Sequence, residues 1–156
     1  MSEHRASIAW QKQTDSFRYE DYNREHDWTF PKSGTVVKAT AAPKYRGKPG
    51  AVDPEEALVA SIASCHMLTF LALCARRHIG VEGYRDDATG WLEPNGERRL
   101  AITRVSLKPV VTFAAGQRPD EETLAKIHEE SHEQCFIANS VKTVITVEGS
   151  AEEVVR

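Results

Sequence analysis

Apolar and polar positions change their period several times along this chain, and each change marks an element. From His4 to Lys12, Ala6, Ile8 and Trp10 fall on alternate positions, the two-residue period of a half-buried strand. Phe17 to Phe30 mixes aromatic and charged residues and reads as a strand with an irregular end. Gly34 to Ala42 reads as a clearer strand around Thr35, Val36 and Val37. Pro43 to Val52, punctuated by two prolines and two glycines, is a loop.

The period then becomes helical. Asp53-Pro54-Glu55-Glu56 has the form of a helix start, with Asp53 as N-cap, Pro54 at the first helical position and Glu56 closing a capping box. The acidic pair suits the positive end of the helix dipole. From Ala57 to Ala75 no residue is charged, and only Ser61, Ser64, His66 and Thr69 interrupt the apolar run. Such a helix is either buried or spans a membrane. The polar interruptions, the capping box and the polar remainder of the chain favour a central core helix. Tyr84–Leu92 and Arg98–Phe113 read as strands of a hairpin turning at Asn95-Gly96. In the second strand the apolar set moves from Leu100 and Ile102 to Val105, Leu107, Val111 and Phe113, a slip that predicts a bulge near Thr103-Arg104. Pro119-Asp120-Glu121-Glu122 starts a second helix running to about Glu133, Val141–Glu148 is a last strand, and a charged tail follows. Strands, a long helix, strands, a helix and a strand describe an α+β fold, as one domain over residues 1–156.

Composition narrows the function. The 156 residues carry 20 Lys plus Arg against 23 Asp plus Glu, too balanced a charge for a partner bound by phosphate neutralisation, so no nucleic acid is expected. The N-terminus shows no apolar signal segment, and the 3 cysteines have the wrong parity for a secreted disulfide scaffold. The expectation is a cytoplasmic, reducing setting, where each cysteine is inert core, metal ligand or working thiol.

Cys65 lies deep in the first helix, beside His66. A mid-helix cysteine has no help from the helix N-terminus, so its thiol ionises readily only if a cation reaches it from another segment. Arg18, Arg24, Arg46 and His66 are the candidates. Cys74 follows nine residues later, on the opposite side of the helix, and is expected to be packing. Cys135 ends the second helix, where the negative helix end raises a thiol pKa and suits a resolving thiol. The same helix holds His128-Glu129-Glu130-Ser131-His132, the H-E-x-x-H spacing of a zinc hydrolase. A third ligand is needed. Glu152 is a conceivable one by spacing, in a tail with no element to hold it, and Cys135 with both histidines could form a structural metal site. With His128 on the inward stripe beside Leu124, Ile127 and Ser131, packing is the first reading.

Asp53-Pro-Glu-Glu-Ala-Leu-Val-Ala-Ser-Ile-Ala-Ser-Cys65-His-Met-Leu resembles the signature of the OsmC/Ohr family, the osmotically inducible and organic hydroperoxide resistance proteins. So does His132-Glu-Gln-Cys135-Phe-Ile-Ala-Asn-Ser-Val141, at that family's second cysteine. The resemblance covers essentially the whole chain. It implies two main helices wrapped by antiparallel β-sheet in an intertwined homodimer, and a cysteine-based peroxidase without metal, haem or other cofactor. Its substrate would be an organic hydroperoxide and its reductant a dithiol, with no membrane partner. By position Cys65 matches the peroxidatic cysteine, Cys135 the resolving one and Glu55 the glutamate that pairs with a catalytic arginine. Arg24 is favoured for that arginine over Arg18. His66 and Phe136 stand where an apolar residue and a proline are common, which marks a divergent branch. Ten residues along a helix span about 15 Å, so Glu55 cannot touch the Cys65 thiol of its own chain. Either Arg24 bridges most of that gap or an antiparallel dimer brings the partner's helix start to the site. The second is the expectation, a composite site with Cys65 and Cys135 from one chain and Arg24 and Glu55 from the other. Met67, Leu68, Phe70 and Phe136 would form its apolar mouth, with ordinary core packing the first reading for most of them. A non-catalytic stress or binding protein on the same fold is the alternative.

Overall fold

The computed structural model describes residues 1–154, which divide into two compact units, residues 1–57 and residues from Leu58 onward. In the first unit, β1 (Ser7–Ala9), β2 (His26–Phe30) and β3 (Thr35–Ala39) form an antiparallel meander. β1 is shorter than its alternation suggests, and its residues are exposed. Residues 17–25 are irregular rather than extended, and Asn23 organises them. Its side chain accepts from Gln13 N–H at 2.8 Å and donates to the Gln11 carbonyl at 3.0 Å. The Trp10 indole donates to the Asn23 backbone carbonyl at 2.7 Å.

The helix start behaves as its four residues predict. Glu56 N–H donates to Asp53 Oδ1 at 2.8 Å and Asp53 N–H donates to Glu56 Oε2 at 3.3 Å, the reciprocal pair of a capping box. Helix α1 runs from Pro54 to Arg76. By length and composition alone it could cross a membrane. Within the chain it buries one stripe, Ile62, His66, Phe70, Leu73 and Cys74, and not most of its sides as its uncharged run predicts.

In the second unit, β4 (Val81–Asp86) pairs with β7 (Pro109–Phe113), and β5 (Thr89–Pro94) with β6 (Leu100–Leu107). These are the two arms of the predicted hairpin, each broken once. The register runs through the break, with Asp86 opposite Pro109 and Thr89 opposite Ser106, so one long hairpin is bent across two sheets. Asp86 Oδ1 accepts from Lys108 N–H at 2.7 Å and pins the bend. The predicted bulge is present: Trp91 faces Arg104 and Leu92 faces Ile102, leaving Thr103 unpaired. At the tip the left-handed residue is Arg98, not Gly96, because Asn95 Oδ1 accepts from the Glu97 and Arg99 amides and draws the loop longer.

Helix α2 (Glu121–Gln134) is capped by Asp120, whose carboxylate accepts from Thr123 N–H at 2.7 Å. Two strands follow. β8 (Val144–Val147) lies parallel to β6, and β9 (Ser150–Glu153) lies parallel to β7. The sheets are therefore mixed rather than antiparallel, and the charged tail is a strand. Its backbone pairing outweighs its side-chain polarity. The fold class stands as α+β. Two apolar clusters form on α1. Phe70, Leu73 and Cys74 pack with Val111, Phe113, Leu124 and Ile127, and Ile62 packs with Val105 and Leu107.

Gly149, between β8 and β9, lies so close to His128 that a Cβ there would overlap the imidazole Nε2. Gly96, in the hairpin tip, has open space around it. Gly149→Ala is expected to cost about 1–3 kcal/mol through overpacking, and Gly96→Ala less than about 0.5 kcal/mol. Urea unfolding of both variants beside the parent measures the difference, and equal costs would refute the close approach.

Candidate functional site

The second unit brings two of the predicted site residues together. Cys65 is half-buried on α1, and Cys135, the C-cap of α2, is buried. Both are free thiols. The Cys65 thiol lies near enough to Cys135 to act on its ionisation. Burial first, then this thiol neighbour, raises the Cys135 pKa, while the Ala138 N–H, which donates to Sγ at 3.4 Å, works against the rise. The direction is the one expected, and burial rather than the helix end leads it. Cys74 is packing, as its place opposite Cys65 on the helix predicts. It is buried in the Phe70 cluster, and burial pushes its thiol up to about 11.

The residues expected at an apolar mouth differ in exposure. Leu68 is 61% and Phe136 82% exposed, but Phe70 is wholly buried between the His128 and Tyr84 rings. Its spacing of eight from Ile62 and four from His66 puts it on the inward stripe instead.

The other two predicted residues meet in the first unit. Arg24 and Glu55 both line a groove of about 570 Å³ whose remaining wall includes Ile8, Trp10, Phe17 and Tyr22. Arg24 is nearly buried. Its guanidinium donates to the carbonyls of Tyr22 and Tyr19 and lies 3.6 Å from the centre of the Tyr22 ring. The Trp28 indole donates to His26 Nε2 at 2.8 Å, which leaves His26 Nδ1 to donate to the Arg24 carbonyl, also at 2.8 Å. His26 therefore braces the segment that carries the arginine. Arg18 is exposed and pairs with Asp21 at 2.8 Å, outside the groove.

A feature absent from the sequence reading joins the two helices of the second unit. His66 Nε2 and His128 Nδ1 are 3.1 Å apart, and the two ring planes lie within 7° of each other with centroids 5.4 Å apart, an edge-to-edge hydrogen bond. His66 is 1% exposed and His128 6%, and the outer nitrogens, His66 Nδ1 and His128 Nε2, have no partner among the described residues. The signal was present in the sequence: His66 falls four residues after Ile62 and four before Phe70, on the buried stripe. Burial lowers both pKa values to about 4, and for His66 the neighbouring His128 and His132 add to the effect. The zinc reading fails on the third ligand. Glu152 is held in β9 opposite Thr112, and among the described residues no three His, Cys, Asp or Glu side chains are placed to hold a metal ion.

The histidine pair makes the fold acid-sensitive. The unfolded rings bind protons near pH 6.5 and the folded ones near 4, so the unfolded state binds more protons between these values and stability falls as pH falls. The slope is up to about 1.4 kcal/mol per pH unit for each ring. Urea unfolding between pH 7 and 5, above the range of ordinary carboxylates, measures it. A flat profile would contradict buried neutral histidines.

Comparison with known proteins agrees with this architecture. The OsmC family (OsmC-like protein) matches residues 47–150. An OsmC-like protein of unknown function from Vibrio cholerae is 39% identical, with a TM-score of 0.92 over 96% of this chain and 100% of that one. An organic hydroperoxide resistance protein, OsmC, from Legionella pneumophila shares the fold at 13% identity, with a TM-score of 0.67 over 97% of this chain and 98% of that one. Another, from Elizabethkingia anophelis, shares it at 12% identity, with a TM-score of 0.73 over 99% and 98%. No curated protein matches the sequence. With the family match spanning residues 47–150 and both cysteine segments in their helices, the chain belongs to the OsmC-like protein family.

Proposed function

We propose that this chain is a thiol-dependent peroxidase that reduces organic hydroperoxides to alcohols through Cys65 and Cys135. The observation that carries the reading is the nearness of two free thiols of unequal exposure, Cys65 close enough to act on the ionisation of Cys135. The half-buried Cys65 suits attack on a substrate. The buried Cys135, its pKa raised, keeps its proton until a partner needs it. Family membership and the organic hydroperoxide resistance proteins that share the fold support the same chemistry.

The Cys65 thiolate attacks the distal oxygen of ROOH and the O–O bond breaks. The alkoxide takes up the proton the thiol released and leaves as the alcohol, with Cys65 now a sulfenic acid. The Cys135 sulfur then attacks Cys65, and the hydroxyl departs as water with the Cys135 proton. A small dithiol in a reducing, cytoplasmic compartment restores both thiols by exchange. The two sulfurs supply both electrons, so the reaction as proposed requires no metal or haem.

The reading gives Arg24 the task of holding Cys65 ionised and orienting the hydroperoxide, and Glu55 the task of orienting Arg24. Both would come from a second copy of the chain, for the helix-length reason above. A homodimer is supported by the outer face of α1, where Ala60, Ser61, Ser64, Leu68, Ala72 and Ala75 are exposed and uncharged. Such a surface is poorly matched to water. Exposed Leu68 and Phe136 favour an organic over an inorganic peroxide.

Steady-state consumption of cumene hydroperoxide with a dithiol reductant tests the proposal. Cys65→Ser is expected to abolish turnover and Cys74→Ser to leave it unchanged. Arg24→Ala is expected to lower kcat/KM by about 100-fold, the scale of losing one electrostatic stabiliser. No consumption at any dithiol concentration would overturn the reading in favour of a non-catalytic binding protein.

A further inference from the structure

The His66–His128 hydrogen bond joins the two helices that carry the thiols. His66 follows Cys65 on α1, and His128 lies about two turns before Cys135 on α2. Among the described residues it is the one side-chain hydrogen bond between α1 and α2. The exposed Arg77–Glu130 pair, just past the end of α1, is the nearest counterpart and lies outside the core.

The pair is a poor choice if packing were its only role. Whichever ring donates, one buried N–H and one buried lone pair, at His66 Nδ1 and His128 Nε2, find no partner among the described residues. Two apolar side chains of similar volume would fill the same space with no such loss. Gly149 gives up its side chain to make room for His128, a second concession to the same ring. What an imidazole pair provides and an apolar pair does not is direction. A hydrogen bond between named nitrogens fixes the axial register and spacing of two helices, where apolar contacts tolerate sliding.

We propose that His66 and His128 are positioning residues that hold α1 and α2 in the register at which Cys65 and Cys135 close to a disulfide. The proposal rests on the thiol-pair reading above and names the group that governs its second step. Disulfide closure tolerates little error in backbone placement. The first step, attack of Cys65 on peroxide, needs only one helix and does not depend on the pair.

The test compares the parent protein with two double variants. His66→Leu with His128→Phe removes the hydrogen bond and fills the space. His66→Gln with His128→Asn places amides where the bonded nitrogens stood. Sulfenic acid formation with cumene hydroperoxide is followed by dimedone trapping, and closure by the loss of two mass units. Closure is also driven by diamide, which accepts the two electrons and two protons directly. The apolar variant is expected to keep or raise its thermal midpoint and form sulfenic acid at the parent rate. It should close about tenfold or more slowly with either oxidant, as misplacement by a fraction of an ångström predicts. The Gln/Asn variant is expected to recover closure. A folded apolar variant that closes at the parent rate would overturn the proposal. Should the apolar pair not fold, His128→Gln, whose amide misses the Nδ1 position, is compared with His128→Asn, which occupies it, and equal closure rates overturn the proposal. If peroxide leaves no sulfenic acid while diamide closure still depends on the pair, the peroxidase reading falls and this one stands. If neither oxidant closes the parent pair, both fall.

Discussion

Helix α1 carries no charged residue between Glu56 and Arg76, and water solvates such a surface poorly. Something must cover it. The chain supplies one side of the cover by bending a single long hairpin so that both of its halves, each with a parallel strand added, pack their apolar faces on one stripe of the helix. That stripe dictates which residues are inert and which are available. Cys74 falls on it and is lost to the core, while Cys65, on the other side, stays within reach of a second thiol and of solvent.

The remaining polar residues follow from how tightly the stripe is packed. His66 sits among Ile62, Phe70 and Leu73, where an imidazole costs its hydration, and it finds its single partner in His128 across the helix interface. The same interface sets Cys135 beside Cys65. The two thiols and the histidine pair therefore share one seam between α1 and α2. In the first unit a comparable economy holds Arg24: two backbone carbonyls, two tyrosine rings and the His26 brace fix it in a groove it shares with Glu55.

Local signals were legible where one or two residues decide the outcome. Asp53 and Glu56 cap α1, and the shift of apolar parity at Thr103 marks the bulge. Both cysteine segments carry the resemblance to the family in their residues alone. What the sequence hid depends on partners far along the chain. β9 has the charge pattern of a tail, and only pairing with β7 makes it a strand. The Asp86 to Lys108 hydrogen bond that bends the hairpin joins residues 22 apart, and neither one signals it alone. The histidine pair spans 62 residues, so a sequence could place each ring on an inward stripe without showing that the two stripes meet.

The joining of Cys65 to Cys135 is the claim on which the functional reading turns. Peptide mapping without reduction, after one equivalent of organic hydroperoxide, addresses it directly. The predicted result is a linked peptide containing Cys65 and Cys135, two mass units lighter than the sum of its reduced parts, with Cys74 still a free thiol. Linkage through Cys74, or three free thiols with the peroxide unconsumed, would contradict it.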